Sequence, residues 1–263
     1  GVALISRTRS FTTNFEAVGI LAGTGADEIT FAGQINQALN IDAGGGSDTF
    51  TLGFQNSVIF FNPVTLNGGS QGTTFNINDA TVYFFTTLSM DGGNGFNYMN
   101  VNVPNVTNFT LGEGYFIPGS GNGAFSYANI NTKVFNGNTL NNTYTIYSAG
   151  SSFGTFSVNG NLGNDTFLLV PQPGGYTFQN LTLNGNQDTD TVTYDASALS
   201  TNESYTVNSN VIIRSIGGFG GETVTTTSMN SITLTCGAGN DSIFVSQYSA
   251  GLPVVVNGGL GDD

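Results

Sequence analysis

The sequence predicts an all-β protein, a parallel β-solenoid (β-helix) of about eleven coils with one glycine-rich turn per coil. Three observations lead to this fold. A glycine-rich turn recurs along the chain, alternating strands flank each copy of it, and the composition suits short strands and tight turns.

The recurring turn follows the pattern G-G-x-G-x-D-x-φ, where φ is apolar, as in the stretch GNLGNDTF at Gly160. Successive copies begin 21, 25, 24, 45, 23, 25, 32, 19 and 22 residues apart. We interpret the 45 as two periods with a degraded turn near Ser120, and the 32 as one period plus an insertion. A period near 23 residues is typical of a solenoid, in which each coil buries its apolar face by stacking on its neighbours. The copies begin at Ala22, Ala43, Gly68, Gly92, Gly137, Gly160, Gly185, Gly217, Cys236 and Gly258.

The segments on either side of each turn alternate between apolar and polar residues. Phe156 and Val158 precede one turn, and Phe167 and Leu169 follow it. Alternation at period two places such pairs on one face of a strand. An antiparallel sandwich is the competing fold, but it predicts alternating strands rather than one pattern at a fixed pitch.

The composition supports strands and turns over helices. The chain has 38 Gly and only 8% charged residues, yet 21 Phe and 10 Tyr give it enough apolar surface for a packed core. Glu, Lys and Ala, which favour helices, are scarce. No apolar run approaches the ~20 residues that a membrane-spanning helix needs, so we expect no membrane insertion.

The charge balance excludes several classes of partner. The net charge is −13, and the four basic residues are Arg7, Arg9, Lys133 and Arg214. Nucleic acid is excluded because phosphate contacts need clustered basic residues. Divalent cations are the natural counter-charge. Cys236 is the single cysteine, so no intrachain disulfide forms, and we interpret it as a small turn residue.

We divide the chain into residues 1–21, an N-terminal apolar segment that serves as a cap or a donated strand, and residues 22–263, the repeats. The stretch GVALIS at the start is apolar, and NGGLGDD ends inside a turn. Terminal repeats of a solenoid need a polar cap. We therefore expect the coils to continue, either into neighbouring repeats of a longer chain or into another copy stacked head to tail.

A polar residue precedes the first glycine of most turns. In a single stack of coils these residues would form one column, whose side-chain amides hydrogen-bond from coil to coil. We expect this Asn/Asp ladder to contain Asp42, Asn67, Asp91, Asn136, Asn159, Asn184 and Asn257.

The turn pattern resembles the haemolysin-type (RTX-like) calcium-binding repeat of bacterial secreted and surface proteins, over Ala22 to Asp263. In that family, glycine carbonyls and the aspartates of sequential turns bind Ca²⁺ between coils, which suits a cation that wants six to eight oxygens. The family repeats every nine residues with two turns per coil, whereas this chain has one turn per coil, so the resemblance is to a degenerate, long-period form of the repeat. The resemblance implies metal ligands at Asp27, Asp48, Asp165, Asp190, Glu222, Asp241 and Asp263, whereas Thr73, Asn97, Phe125 and Asn142 carry no charge at that position. The alternative is that these acids only favour tight turns.

The sequence predicts no enzymatic activity. The chain has no His, which removes the commonest base and metal ligand. A polysaccharide-degrading β-helix enzyme would need basic groups for a developing anion, and only Lys133 and Arg214 lie beyond the first nine residues. We expect an extracellular or cell-surface structural protein that forms a rod or head-to-tail filament. The alternative is a calcium-stabilised adhesin or surface-layer segment, whose exposed face binds carbohydrate or another cell. Tyr83, Phe84, Phe85, Tyr115 and Phe116 are its candidate aromatics.

Overall fold

The computed structural model describes residues 17–53, 57–82, 86–119, 122–148, 154–174, 177–178, 180–217, 221–246 and 252–263. Over these residues the chain forms 26 strands and no helix, so no helix is long and apolar enough to cross a membrane. The strands are β1 Ala17–Leu21, β2 Glu28–Phe31, β3 Gly33–Ile35, β4 Ala38–Asp42, β5 Asp48–Leu52, β6 Val58–Phe60, β7 Val64–Asn67, β8 Thr73–Ile77, β9 Ala80–Val82, β10 Leu88–Asp91, β11 Tyr98–Asn102, β12 Asn108–Gly112, β13 Tyr115–Pro118, β14 Phe125–Ala128, β15 Thr132–Asn136, β16 Thr143–Tyr147, β17 Thr155–Asn159, β18 Thr166–Val170, β19 Leu181–Asn184, β20 Thr191–Asp195, β21 Glu203–Asn208, β22 Val211–Ile216, β23 Glu222–Thr227, β24 Ser231–Thr235, β25 Ser242–Val245 and β26 Val254–Asn257.

The strands stack into two long, mostly parallel sheets, which confirms the predicted β-solenoid. Sheet 1 has 12 strands in the order β1-β4-β7-β10-β14-β13-β12-β16-β18-β20-β24-β26. Sheet 2 has 11 strands in the order β2-β5-β8-β11-β15-β17-β19-β23-β22-β21-β25. Sheet 3 contains β3, β6 and β9 and adds a third side to the first coils. Strand β1 pairs with β4, so Ala17–Leu21 belongs to the first coil. Residues 1–16, the rest of the expected N-terminal segment, lie outside the described residues.

The core consists of apolar columns that run along the solenoid, because equivalent residues of successive coils pair in register. Phe50 pairs with Phe75, and their rings stack at 5.2 Å and 4°. Tyr144 stacks on Phe109 at 5.1 Å and on Phe167 at 5.2 Å. The period-two alternation of the sequence therefore separates the buried columns from an outer surface rich in Thr, Ser and Asn.

Each long sheet contains one antiparallel insertion, in which the chain folds back on itself before the parallel coils resume. In sheet 1 the insertion is β12–β13–β14, and in sheet 2 it is β21–β22–β23. These insertions account for the irregular spacings of 45 and 32 residues in the repeat. The segment interpreted as a degraded turn joins antiparallel strands β13 and β14, and Ser120 itself lies outside the described residues.

The insertions also move the tight turn from one edge of the solenoid to the other. We call the edge where the chain passes from sheet 1 to sheet 2 the front edge, and the opposite one the back edge. Tight turns at the front edge span residues 22–27, 43–48, 68–73, 92–97, 236–241 and 258–263. Those at the back edge span residues 137–142, 160–165 and 185–190, between the two insertions.

Candidate functional site

The two edges use different residues at the second position of the tight turn. At the front edge this position is Gly, and its φ is positive in five of the six turns, as at Gly69 (86°) and Gly93 (69°), the exception being Gly237. A Cβ on Gly69 would overlap the carbonyl oxygen of Gly44 in the preceding coil. At the back edge the position is Asn, as at Asn161 (φ 73°) and Asn186 (φ 69°). Asn tolerates this left-handed conformation, and Asn161 Nδ2 donates a hydrogen bond to the Gly137 carbonyl at 2.7 Å.

The residues of the expected Asn/Asp ladder lie in separate columns rather than in one. Asp42, Asn67 and Asp91 pair in register at the front edge. Asn136, Asn159 and Asn184 pair in register at the back edge. Asn257 pairs with Thr235 at the front edge, beyond the second insertion.

Both columns combine hydrogen bonds between coils with hydrogen bonds within a turn. At the back edge Asn159 Nδ2 donates to Asn136 Oδ1 of the neighbouring coil at 2.8 Å. At the front edge Asp91 Oδ1 accepts the backbone N–H of Gly93 in its own turn and the Nδ2–H of Asn129 in the next coil, each at 2.8 Å.

The sixth residue of each tight turn points into the solenoid and forms an interior polar column at each edge. In the back-edge column, Asp165 Oδ1 accepts the backbone N–H of Asn142 at 2.7 Å, and Asp190 Oδ1 accepts that of Asp165 at 2.9 Å. In the front-edge column, Asp48 Oδ1 accepts the N–H of Asp27, and Asp263 Oδ1 that of Asp241, both at 2.9 Å. Each side chain thus satisfies a backbone donor of the preceding coil, which a turn of this shape would otherwise leave buried.

Uncharged residues serve the same purpose in these columns. Asn97 Oδ1 accepts the N–H of Thr73, Asn131 Oδ1 that of Asn97, and Asn230 Oδ1 that of Asp190. The turn pattern marks Asn97 only as a position without charge, and it gives no signal at Asn131 or Asn230. Asn97 could have been recognised from its position in the turn pattern, whereas Asn131 and Asn230 lie outside any tight turn.

The second carboxylate oxygen of the interior aspartates has no hydrogen-bond partner among the described residues. This holds for Oδ2 of Asp27, Asp48, Asp165, Asp190 and Asp241, all of them buried atoms. Burial raises the pKa of Asp165 to about 6, against the bond from Asn142, and the charges of Asp190 and Asp188 raise it further. Burial likewise raises the pKa of Asp48, Asp190 and Asp241.

Glu222 lies in a different environment, because the glycine-rich stretch before it connects the antiparallel strands β22 and β23. Its side chain is buried with Arg214, whose Nε lies 3.9 Å from Glu222 Oε1 and 3.4 Å from Glu203 Oε2. Tyr194 donates its hydroxyl hydrogen bond to Glu222, and Tyr205 donates to Glu203 at 2.7 Å. We call these five residues the buried charge cluster. Burial raises the pKa of Glu222, and Arg214 opposes that shift.

The interior columns offer a calcium ion little coordination. Ca²⁺ needs six to eight oxygens at about 2.3–2.6 Å. In the part of the chain that the structure describes, no three acidic or cysteine side chains converge as a metal site requires. Each interior aspartate has one oxygen engaged by a backbone N–H, and Asp165 Oδ2 lies against Gly160. These residues do not fit the coordination that the resemblance implies. Calcium binding itself remains a prediction, which a direct binding measurement would test.

The aromatic residues expected on an adhesive face are distributed otherwise. Phe116 is fully buried, Tyr115 is half-buried, and Tyr83, Phe84 and Phe85 lie outside the described residues. The exposed aromatic pair is Phe96 (64% exposed) and Tyr98 (44%), whose ring centroids are 5.9 Å apart.

Comparison of the sequence with protein-family models finds no match, and comparison with curated proteins finds none either.

Proposed function

We propose that this protein is an extracellular structural repeat protein, a rod that extends by stacking further coils at its ends. The observation that carries the proposal is the exposure of core columns at both ends of the described stack. Ile20 and Val256 lie in the same inward columns as the fully buried Ile41 and Leu234. They are 36% and 38% exposed, and among the described residues each has a neighbouring coil on one side only.

The direction of the interior columns makes the two ends complementary. Most coils donate a backbone N–H to the carboxylate or amide of the next coil, as Asp241 does to Asp263, whereas the N–H of Asp48 bonds the Gly72 carbonyl. At the Asp263 end the next acceptor would belong to a further coil. At the other end, Asp27 holds the equivalent position, whose carboxylate would accept such an N–H from a further coil. A further coil at either end, from a longer chain or from another copy, would complete the column and bury the exposed apolar residues.

The side walls of the rod support a structural role over catalysis. Both basic residues that the structure describes point inward: Arg214 is in the buried charge cluster, and Lys133 Nζ donates to the Ile130 carbonyl in the core. Neither is presented to a polymer lying along the outside. The low charge content and the many Thr, Ser and Asn residues suit a surface that works outside the cell.

The experiment is sedimentation velocity of the purified chain and of Val256→Pro. Pro253 O and Asn257 O accept hydrogen bonds from β24, so in a parallel ladder the N–H of Val256 faces away from β24. Proline removes that N–H and blocks a further strand without breaking the pairing to β24. We expect the natural chain to form species larger than a monomer and Val256→Pro to reduce them strongly. Thr193→Lys, on the outer wall of β20, is the matched control and should assemble like the natural chain.

A natural chain that sediments as a compact monomer at all concentrations would overturn stacking between copies. Equal assembly of Val256→Pro and the natural chain would show that contacts away from this end are responsible.

The exposed Phe96–Tyr98 pair favours a second candidate, an adhesive surface that stacks on the apolar face of sugar rings. Glycan-array binding that is lost in the double variant Phe96→Ala/Tyr98→Ala, with unchanged folding, would establish it. Binding that survives both changes would assign adhesion to another surface.

A further inference from the structure

The interior columns contain buried carboxylates whose charge is not compensated by a neighbouring group within the described ranges. Nearly fully buried carboxylates repeat at single-coil intervals along the interior, and one oxygen of each has no partner among the residues described. A buried charge without compensation is costly, so an interior carboxylate usually neutralises or acquires a partner. Uncharged residues at the same turn position in neighbouring coils indicate whether a hydrogen-bond donor fits there.

Asn97 shows what the turn accommodates when the sixth residue can donate. Its Nδ2 donates to the carbonyl oxygen of Asn129, in the next coil, at 2.7 Å. Both atoms border the space beside Gly92, where an added Cβ would lie within 2.5 Å of each. Thr73, one coil earlier, also acts as a donor, but within its own turn, since its Oγ1 donates to the Gly68 carbonyl at 3.0 Å.

Asp190 occupies the equivalent position at the back edge with the same geometry. Asp190 Oδ2 and the carbonyl oxygen of Ser228, in the next coil, both border the space beside Gly185. Asp165 Oδ2 and the carbonyl oxygen of Gly185 border the space beside Gly160 in the same way. In each case a carboxylate oxygen faces a carbonyl oxygen where Asn97 places an N–H donor. Two acceptors in this arrangement repel each other unless a proton lies between them.

We propose that Asp165 and Asp190 are neutral carboxylic acids in the folded protein at mildly acidic pH, and that each then donates its Oδ2–H to the carbonyl oxygen of the next coil as Asn97 does with its amide. At these two positions aspartic acid then does what asparagine does at Asn97, and it serves as a hydrogen-bond donor rather than as a cation ligand.

The surrounding charges agree with a proton at these positions. The charges of Asp190 and of the exposed Asp188 in the next turn act on Asp165, and the charge of Asp188 acts on Asp190. Tyr144 also faces Asp165. Neither Lys133 nor Arg214, the basic residues that the structure describes, is among the groups that act on them.

The proposal determines the sign of the pH dependence. A carboxyl whose pKa is raised on folding binds its proton more tightly in the folded state. Its contribution to stability is therefore complete below the unfolded pKa and is lost as pH rises through the folded pKa. For Asp165, with a pKa raised from 3.8 to about 6, the unfolding equilibrium should shift roughly a hundredfold toward unfolding over that range.

The test compares the natural chain with Asp165→Asn/Asp190→Asn and with a single charge control, Glu28→Gln, whose side chain is exposed on β2. Urea unfolding is measured from pH 4 to pH 8, in chelator and again with added Ca²⁺. We expect the natural chain to lose stability as pH rises from about 4 to about 7. Over this range the folding equilibrium constant of the double variant should decrease by a factor about a hundredfold smaller than that of the natural chain. The decrease for Glu28→Gln should match that of the natural chain.

A direct readout accompanies the unfolding curves. The ¹³Cγ resonances of Asp165 and Asp190, assigned by their loss in the variant, should titrate with midpoints well above that of an ordinary aspartate. Midpoints at or below the ordinary value would overturn the proposal. So would Ca²⁺ stabilisation at pH 7 that the double variant abolishes, because Oδ2 would then be a metal ligand. These outcomes are independent of whether the rods stack end to end.

Discussion

Replacing Arg214 by methionine is expected to destabilise the protein by about 3–5 kcal/mol, the cost of leaving a buried charge uncompensated. Arg214 is 1% exposed, and its Nε lies 3.4 Å from Glu203 and 3.9 Å from Glu222. Methionine of similar length leaves both glutamates buried without a positive charge. Urea unfolding at pH 7 measures the loss, which should shrink at acidic pH because the Glu222 carboxyl, whose pKa burial raises, becomes protonated.

The control variant removes the two negative charges of the cluster together with the positive one. In Arg214→Met/Glu203→Gln/Glu222→Gln the cluster has no net charge, and the amides can still accept the hydrogen bonds of Tyr205 and Tyr194. This triple variant should recover most of the lost stability. If Arg214→Met alone unfolds at the same urea concentration as the natural chain, the cluster is not held by its charges.

Substituting alanine for Gly69 is expected to cost about 2–5 kcal/mol. Part of this arises from the left-handed backbone, since Gly69 has φ 86° and non-glycine residues lose about 1–2 kcal/mol there. The rest arises from overpacking, because the new Cβ would overlap the Gly44 carbonyl and force two coils apart. The midpoint of urea unfolding measures the effect.

Gly25→Ala is the matched control, since a Cβ at Gly25 meets nothing within 4 Å and its backbone is not left-handed. It should stay within about 0.5 kcal/mol of the natural chain. The variant Gly69→Asn tests whether the two edges differ in the residue that they tolerate at the second turn position. The back edge accommodates Asn161 in the same backbone conformation, but the front edge should reject Asn for the same steric reason that it rejects Ala. A stable Gly69→Asn would mean that the edges are equivalent.

The coil architecture could be predicted from the sequence because its two signals are local and repeated. The period-two alternation of residues such as Phe167 and Leu169 determines which side chains stack in the core, and the glycine-rich turn marks each coil. The move of the tight turn from one edge to the other does not follow from the turn pattern, because that pattern accepts both Gly and Asn at the second turn position. That position distinguishes Gly69 and Gly93 from Asn161 and Asn186, and it is readable in the printed sequence.

The interior columns could be predicted only as a set of positions. Turn aspartates commonly bond their own backbone in solvent, and nothing local in the sequence shows that Asp165 points inward to the preceding coil. Glu222 was misplaced for a related reason, since the stretch before it matches the turn pattern but connects antiparallel strands. Its partner Arg214 is close only because β22 pairs with β23.

The change of edge at each insertion limits how this rod can lengthen or shorten. Loss or duplication of one period between Gly160 and Asn184 joins a back-edge turn to another back-edge turn, so the new neighbours meet in register. An exchange between the segments on either side of an insertion would present a glycine turn to an asparagine turn on opposite walls. The two insertions divide the rod into three segments of parallel coils. The number of coils can therefore vary within each segment, whereas coils cannot be exchanged across an insertion.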